Sequence, residues 1–147
     1  MALAVLLTAF LAAGLVAARF GQVAPQSAAT LPDLSHAHLV EVRNASGRTV
    51  LSGEFREKTD PLGNVERDAA LVDRRGRRVI GEIEIEIPGP NAMSLAQELE
   101  IDIIEIEPNQ KHSLFIDDLE VATFTTDDRG SIDMELHAVP ATSGPPK

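Results

Sequence analysis

Two short segments of this chain alternate strictly between acidic and aliphatic residues. Residues 82–87 have the sequence Glu-Ile-Glu-Ile-Glu-Ile, and residues 98–103 have the sequence Glu-Leu-Glu-Ile-Asp-Ile. Successive side chains of a β-strand point to opposite faces, so each segment carries one aliphatic face and one acidic face. The pattern predicts two half-buried strands of an antiparallel sheet.

The rest of the central region consists of short strand candidates separated by Gly, Pro, Asn and Asp. The eight candidates cover residues 38–44, 48–56, 66–73, 77–87, 97–107, 112–117, 120–126 and 131–137. Many short strands with frequent turns are typical of all-β domains. We therefore predict an antiparallel β-sandwich of about seven to eight strands that follows an N-terminal hydrophobic export segment.

Two local features refine this prediction. The apolar face changes by one residue at Ile103 and Ile104, which predicts a β-bulge or a strand that crosses between sheets. Residues 42–54 and 72–82 share the order strand, Asn or Asp turn, Gly, strand. We interpret this likeness as two hairpins that use the same turn chemistry, because two copies are too few for a solenoid.

The N-terminal residues 2–18 contain no charge. Small residues at positions 16–18 predict a signal peptide cleaved after Ala18, while the length of the run favours an uncleaved membrane anchor. Both alternatives place the remaining domain outside the cytoplasm, as a secreted or periplasmic protein. The predicted organisation is an export segment at 1–18, a linker at 19–36, a β-domain at 37–137 and a disordered tail at 138–147.

Composition excludes several classes of function. The chain of 147 residues has no Cys, which excludes disulfides, thiolate metal sites and Cys nucleophiles. Its net charge is −10 and only 3% of its residues are aromatic. Nucleic-acid binding requires a basic face or exposed aromatic rings, so we expect no nucleic-acid partner.

The negative charge is concentrated in the second half of the chain. Fifteen acidic residues but only Lys111 and Arg129 as basic residues lie between positions 82 and 137. Carboxylates directly opposite one another on paired strands repel. We therefore expect that residues 82–87 and 98–103 are not neighbours, that Arg side chains lie between them, or that a cation does. The candidate cation ligands of this acidic strand face are Glu82, Glu84, Glu86, Glu98, Glu100 and Asp102; the other interpretation is a solvated acidic face.

Few other residues suggest specific chemistry. His36 and His38 would lie on one side of an extended segment and could bind zinc or copper, with two further ligands from His112, His137 or a carboxylate. Residues 127–133 have only part of the ligand pattern of a calcium-binding EF-hand loop, so we interpret them as a hairpin turn. The chain has neither a Gly-x-Ser-x-Gly motif nor a Gly-rich phosphate loop. We predict no catalytic residues and no obligatory cofactor, with calcium as the candidate ion.

Residues 115–130 contain a strand, a turn at Asp117 and Asp118, the strand sequence Val-Ala-Thr-Phe, and then Thr-Asp-Asp-Arg-Gly. This order resembles a pattern in uncharacterised exported bacterial β-sandwich domains, in which Gly usually stands at the position of Asp118. The resemblance covers about a fifth of the predicted domain. It implies an exported β-sandwich and carries no catalytic residues.

These observations predict an exported, non-enzymatic module with a binding or structural role and a protein or surface partner that the sequence does not identify. Contact with a membrane is expected only through residues 2–18, if they are not cleaved. The alternative is an extracytoplasmic protein that binds calcium or a transition metal through the acidic strand face or through His36 and His38. A third hypothesis is a glycoside-acting enzyme, which requires two carboxyl groups that face each other in a cleft.

Overall fold

The computed structural model describes residues 31–90, 92 and 96–138. Within this part the chain forms nine β-strands and no helix, which confirms the prediction of an all-β fold. The strands are β1 (Leu39–Asn44), β2 (Thr49–Glu54), β3 (Arg56–Thr59), β4 (Val65–Asp73), β5 (Val79–Ile87), β6 (Glu98–Ile103), β7 (Lys111–Ile116), β8 (Leu119–Thr125) and β9 (Ile132–His137). The predicted export segment, residues 19–30 of the predicted linker and residues 139–147 of the predicted tail lie outside the described residues.

All nine strands belong to one antiparallel sheet. Its order is β8-β7-β1-β2-β4-β5-β6-β9, and β3 pairs with β4. Leu51 of β2 pairs with Asp73, and Arg56 of β3 pairs with Asp68 in the same register, so β2 and β3 form one long interrupted strand beside β4. The predicted sandwich of seven to eight strands is not confirmed, because the strand pairing joins nine strands in a continuous, nearly closed sheet.

The apolar face of this sheet forms a single core. Every strand except β3 contributes buried aliphatic or aromatic side chains to one cluster, and Val40, Ile83 and Ile101 are completely buried. No second layer covers this face among the described residues, so the sheet must curl over its own apolar side. Gly53 and Gly81 permit this curvature, because a Cβ atom at these positions would lie 2.5 Å and 2.4 Å from backbone oxygens of the neighbouring strands.

Four of the turns share one design, in which an Asn or Asp is followed three residues later by a Gly with positive φ. The last of them joins β8 to β9, which do not pair with each other, so the predicted hairpin turn at residues 127–133 is wrong. In this turn, Asp127 Oδ1 accepts hydrogen bonds from the backbone N–H groups of Arg129 (2.8 Å) and Ser131 (2.7 Å), and Gly130 has a φ of 79°. The same arrangement occurs at residues 44–47, 60–63 and 73–76. The interpretation of residues 42–54 and 72–82 as hairpins with common turn chemistry is thereby confirmed.

The segment before β1 packs against the core. Leu31 and Leu34, which lie in the predicted linker, are buried, and the Leu34 N–H donates to Gln97 Oε1 at 2.9 Å. Arg67 donates to the carbonyl of Ala37 at 3.1 Å from the inner side of β4. These contacts cover one end of the curled sheet.

The change of apolar face at Ile103 and Ile104 marks the end of a strand. Strand β6 stops at Ile103, Ile104 is exposed, and Glu105 adopts a positive φ of 58°. The predicted β-bulge or sheet crossing at this point is therefore wrong. Irregularities in strand register occur instead after Val42, Leu71 and Leu114.

Candidate functional site

The outer surface of strands β4, β5, β6 and β9 carries an array of carboxylates, here called the acidic face. Glu82, Glu84 and Glu86 of β5 lie directly opposite Asp102, Glu100 and Glu98 of β6, respectively. The first of the three alternatives, that these two strands are not neighbours, is therefore wrong. Among the described residues, no Arg forms an ion pair with these six carboxylates. Like charges opposite one another cost a few tenths to about 1 kcal/mol per pair.

The array extends across both flanking strands. On one side Asp68 of β4 lies opposite Glu84, and on the other side Glu135 of β9 lies opposite Glu100. The ten members of the acidic face are Glu66, Asp68, Glu82, Glu84, Glu86, Glu98, Glu100, Asp102, Asp133 and Glu135. Neighbouring strands are about 4.8 Å apart, so these carboxylates form a regular grid on an open surface.

Among the described residues, the ion pairs and His contacts of this grid lie at its two sides. Lys58 of β3 forms ion pairs with Glu66 (3.0 Å) and Asp68 (2.8 Å), and these contacts raise the pKa of Lys58. On the opposite side His137 contacts Glu135 at 2.8 Å and Glu98 at 3.8 Å. Within the described residues no ion pair reaches the six remaining carboxylates of the middle strands and β9: Glu82, Glu84, Glu86, Glu100, Asp102 and Asp133.

Two members of the acidic face, Glu84 and Glu98, have raised pKa values. Partial burial raises the pKa of Glu84, and the negative charges of the surrounding glutamates, first among them Glu66, raise it further. A hydrogen bond shared with Glu135 raises the pKa of Glu98, and partial burial adds to this effect. Glu84 and Glu98 therefore hold their protons more tightly than isolated carboxylates would, and a cation bound beside them would favour their ionised forms.

Three side chains at one corner of the acidic face converge. Glu98, Glu135 and His137 each place a ligand atom within 4.8 Å of the other two. His137 Nε2 lies 2.8 Å from Glu135 Oε1, and its Nδ1 lies 3.8 Å from Glu98 Oε2. One imidazole nitrogen and two carboxylate oxygens are suitable ligands for zinc and related divalent ions.

A cavity of about 520 Å³ opens beside this corner. Glu66, Glu86 and Glu98 contribute acidic groups to its lining, and Ile87 and Pro88 contribute apolar surface. A cavity of this volume is in the range that accommodates small ligands. Lys58 also lines the cavity, so its wall carries both signs of charge.

The sequence prediction and the structure agree only in part about the site. All six predicted acidic ligands lie on the acidic face, but the prediction omitted Glu66, Asp68, Asp133 and Glu135. In residues 132–137, Asp133 and Glu135 alternate with apolar residues, which indicates a strand with one acidic face. Only the pairing of β9 with β6 shows that this face continues the other carboxylates.

The two other predicted ligands lie elsewhere. His36 is in a turn and His38 precedes β1, and both are exposed. In the portion of the chain described by the structure, no group of three converging ligands includes either of them.

No protein family, curated protein or solved structure matches this chain. The resemblance of residues 115–130 to exported β-sandwich domains therefore stays a prediction. In the described residues, no helix has the length and apolar character needed to cross a membrane.

Proposed function

We propose that this chain is an exported, non-enzymatic binding module whose acidic face contacts a positively charged partner. The observation that carries the proposal is the set of central carboxylates that lie opposite one another without an ion pair in the described residues. A cationic surface that covers them would remove several repulsive pairs at once. Such electrostatic complementarity mainly supplies specificity and rapid association.

The position of the aromatic residues supports a binding role over a glycoside-acting enzyme. Sugar-binding clefts commonly present aromatic platforms, whereas Phe124 is buried and Phe55 packs against the core. Phe115 lies beneath the guanidinium of Arg43, which is 4.1 Å from the centre of its ring. None of these three rings is available to a ligand on the acidic face.

Binding to a lysine-rich peptide, measured by fluorescence anisotropy as a function of salt concentration, tests this proposal. We expect saturable binding that weakens steeply with salt, because exposed charges are screened within about 10 Å at 0.1 M. A glutamate-rich peptide of the same length should not bind. Absence of binding to the lysine-rich peptide at low salt would refute the proposed function.

A matched pair of variants locates the contact. Glu100→Gln removes one exposed carboxylate from the middle of the acidic face and should weaken binding about threefold or more. Glu120→Gln removes one exposed carboxylate from β8, away from the acidic face, and should leave the affinity nearly unchanged. Equal effects of the two changes would show that only net charge matters.

The converging group of Glu98, Glu135 and His137 favours divalent-cation binding as a second candidate function. Titration calorimetry with zinc alone tests it, and His137→Ala should abolish the heat of binding. His38→Ala is the control, because His38 is exposed and outside this group. If the bound cation is calcium, the melting temperature of the protein should rise at millimolar calcium, since a ligand that binds only the folded state stabilises it.

A further inference from the structure

Strand β9 is an edge of the curled sheet. It pairs with β6 along its whole length, from Glu98 opposite His137 to Ile103 opposite Ile132. Among the described residues, no strand pairs with its other side. An open edge of this kind presents unpaired N–H and C=O groups that can pair with another extended chain.

The register identifies which backbone groups are open. The Ala138 N–H donates to the Gln97 carbonyl at 2.8 Å, which makes these two residues a hydrogen-bonded pair. Hydrogen-bonded pairs alternate along an antiparallel ladder. The backbone groups of residues 132, 134 and 136 therefore point towards β6, and those of Asp133, Glu135 and His137 point towards the open edge.

The side chains beside this edge define the chemistry of a partner. Asp133 and Glu135 are exposed on the acidic face, and Met134 and Leu136 point to the core side, where they remain only partly buried. A strand added next to β9 would place alternate residues opposite Asp133, Glu135 and His137, of which the first two are carboxylates. Its remaining residues would cover Met134 and Leu136, which requires aliphatic side chains.

We propose that β9 binds an extended segment of a protein partner by antiparallel strand addition, and that this segment alternates Lys or Arg with aliphatic residues. The inference rests on the proposed function and specifies its binding mode. The added strand would continue the sheet. Its basic residues would neutralise Asp133 and Glu135, and its aliphatic residues would cover Met134 and Leu136 and so extend the core.

The charges of β9 also argue against pairing with a second copy of this chain. Antiparallel pairing of two β9 strands would bring Asp133 and Glu135 of one copy against the same carboxylates of the other. Like charges opposite one another destabilise a strand pair. The carboxylates therefore disfavour pairing between two copies of β9 and favour pairing with a basic strand.

Backbone methylation of a peptide probe tests the strand geometry. The probe is a blocked peptide of about six residues, a common strand length, that alternates lysine and valine. Residues directly opposite one another share a face, so each lysine opposite Glu135 or Asp133 should also form the backbone hydrogen bonds. N-methylation of the lysine residues should weaken binding about tenfold or more, whereas N-methylation of the valine residues should have a smaller effect.

A variant of the protein provides an independent test. Glu135→Pro removes an N–H that points towards the open edge, a position at which a sheet tolerates Pro. Glu135→Gln is the matched control, because it removes the same charge and retains the N–H. We expect the Pro variant to bind the alternating peptide more weakly than the Gln variant. Should the Pro variant fail to fold, the methylated peptides still decide the question.

The outcomes separate this inference from the proposed function. A peptide with the same lysines and valines arranged in two blocks should bind more weakly than the alternating one. Equal binding of the alternating, blocked and lysine-methylated peptides would overturn strand addition and leave the acidic face as a cation-binding surface. Failure of every basic peptide to bind would overturn both.

Discussion

Removing one carboxylate from the middle of the acidic face should stabilise the fold. Glu100 of β6 is exposed and lies between Glu84 of β5 and Glu135 of β9, so it takes part in two directly opposed like-charge pairs. Glu100→Gln keeps the size and polarity of the side chain and removes both repulsions. The change tests whether the array is strained in the free protein.

The size of the effect follows from the two pairs. Each opposed pair costs a few tenths to about 1 kcal/mol, so the free energy of unfolding should rise by about 0.5–2 kcal/mol at low salt. Solvent exposure places the value in the lower half of this range. For a domain of this size, 1 kcal/mol corresponds to an increase in melting temperature of about 4–8 °C.

Urea unfolding followed by circular dichroism, at low and at high salt, measures this change. The stabilisation should decrease as salt is added, because the repulsion is screened. Glu120→Gln on β8 is the control and should change stability little. A Glu100→Gln variant that is no more stable than the parent protein at low salt would refute the reasoning about the strained array.

Three further predictions concern the fold and its pH dependence. Leu99→Ala should reduce stability by about 2–5 kcal/mol in urea unfolding, because Leu99 is completely buried, whereas Leu62→Ala at an exposed turn should change it little. Gly81→Ala should cost about 1–3 kcal/mol in the same assay, since its Cβ would lie 2.4 Å from the Asp102 carbonyl oxygen; an unchanged unfolding midpoint would contradict the proposed bend. Backbone hydrogen bonds from Ser131 and Arg129 lower the pKa of Asp127, so its contribution to stability should be present above pH about 4 and lost as the pH falls through the lowered value. Asp127→Asn should remove this part of the acid dependence in melting experiments between pH 2 and 5.

The period-two pattern predicted the strands because it depends on neighbours in sequence. It identified β5 and β6 and the direction of their side chains from residues 82–87 and 98–103 alone. It missed β3, whose four residues are all exposed and polar and therefore show no alternation. A local sequence pattern also cannot predict the extent of the acidic face, because Glu135 becomes part of this face only through the pairing of β9 with β6.

The closure of the sheet was the least predictable feature. A list of strands is compatible with two packed layers or with one curled layer, and hydrophobic alternation is the same in both. The close contacts at Gly53 and Gly81 are the physical signal of a bend, but a Gly within a strand also occurs at bulges. Leu31 and Leu34 were likewise assigned to a linker, since two leucines in a segment rich in Ala, Ser and Pro show no usable period.

The pairing of β1 with β7 has a consequence for the order of folding. It joins Val40 to Ile116, whereas residues 44–47 and 73–76 close their hairpins over a few residues. Short loops close quickly. Pairing of strands that are far apart in sequence costs more chain-closure entropy, and this cost precedes the stabilising contacts. The hairpins should therefore form first, and the rate-limiting step should be the capture of β1 by β7, which makes Val42 and Leu114 the positions where substitutions slow refolding most.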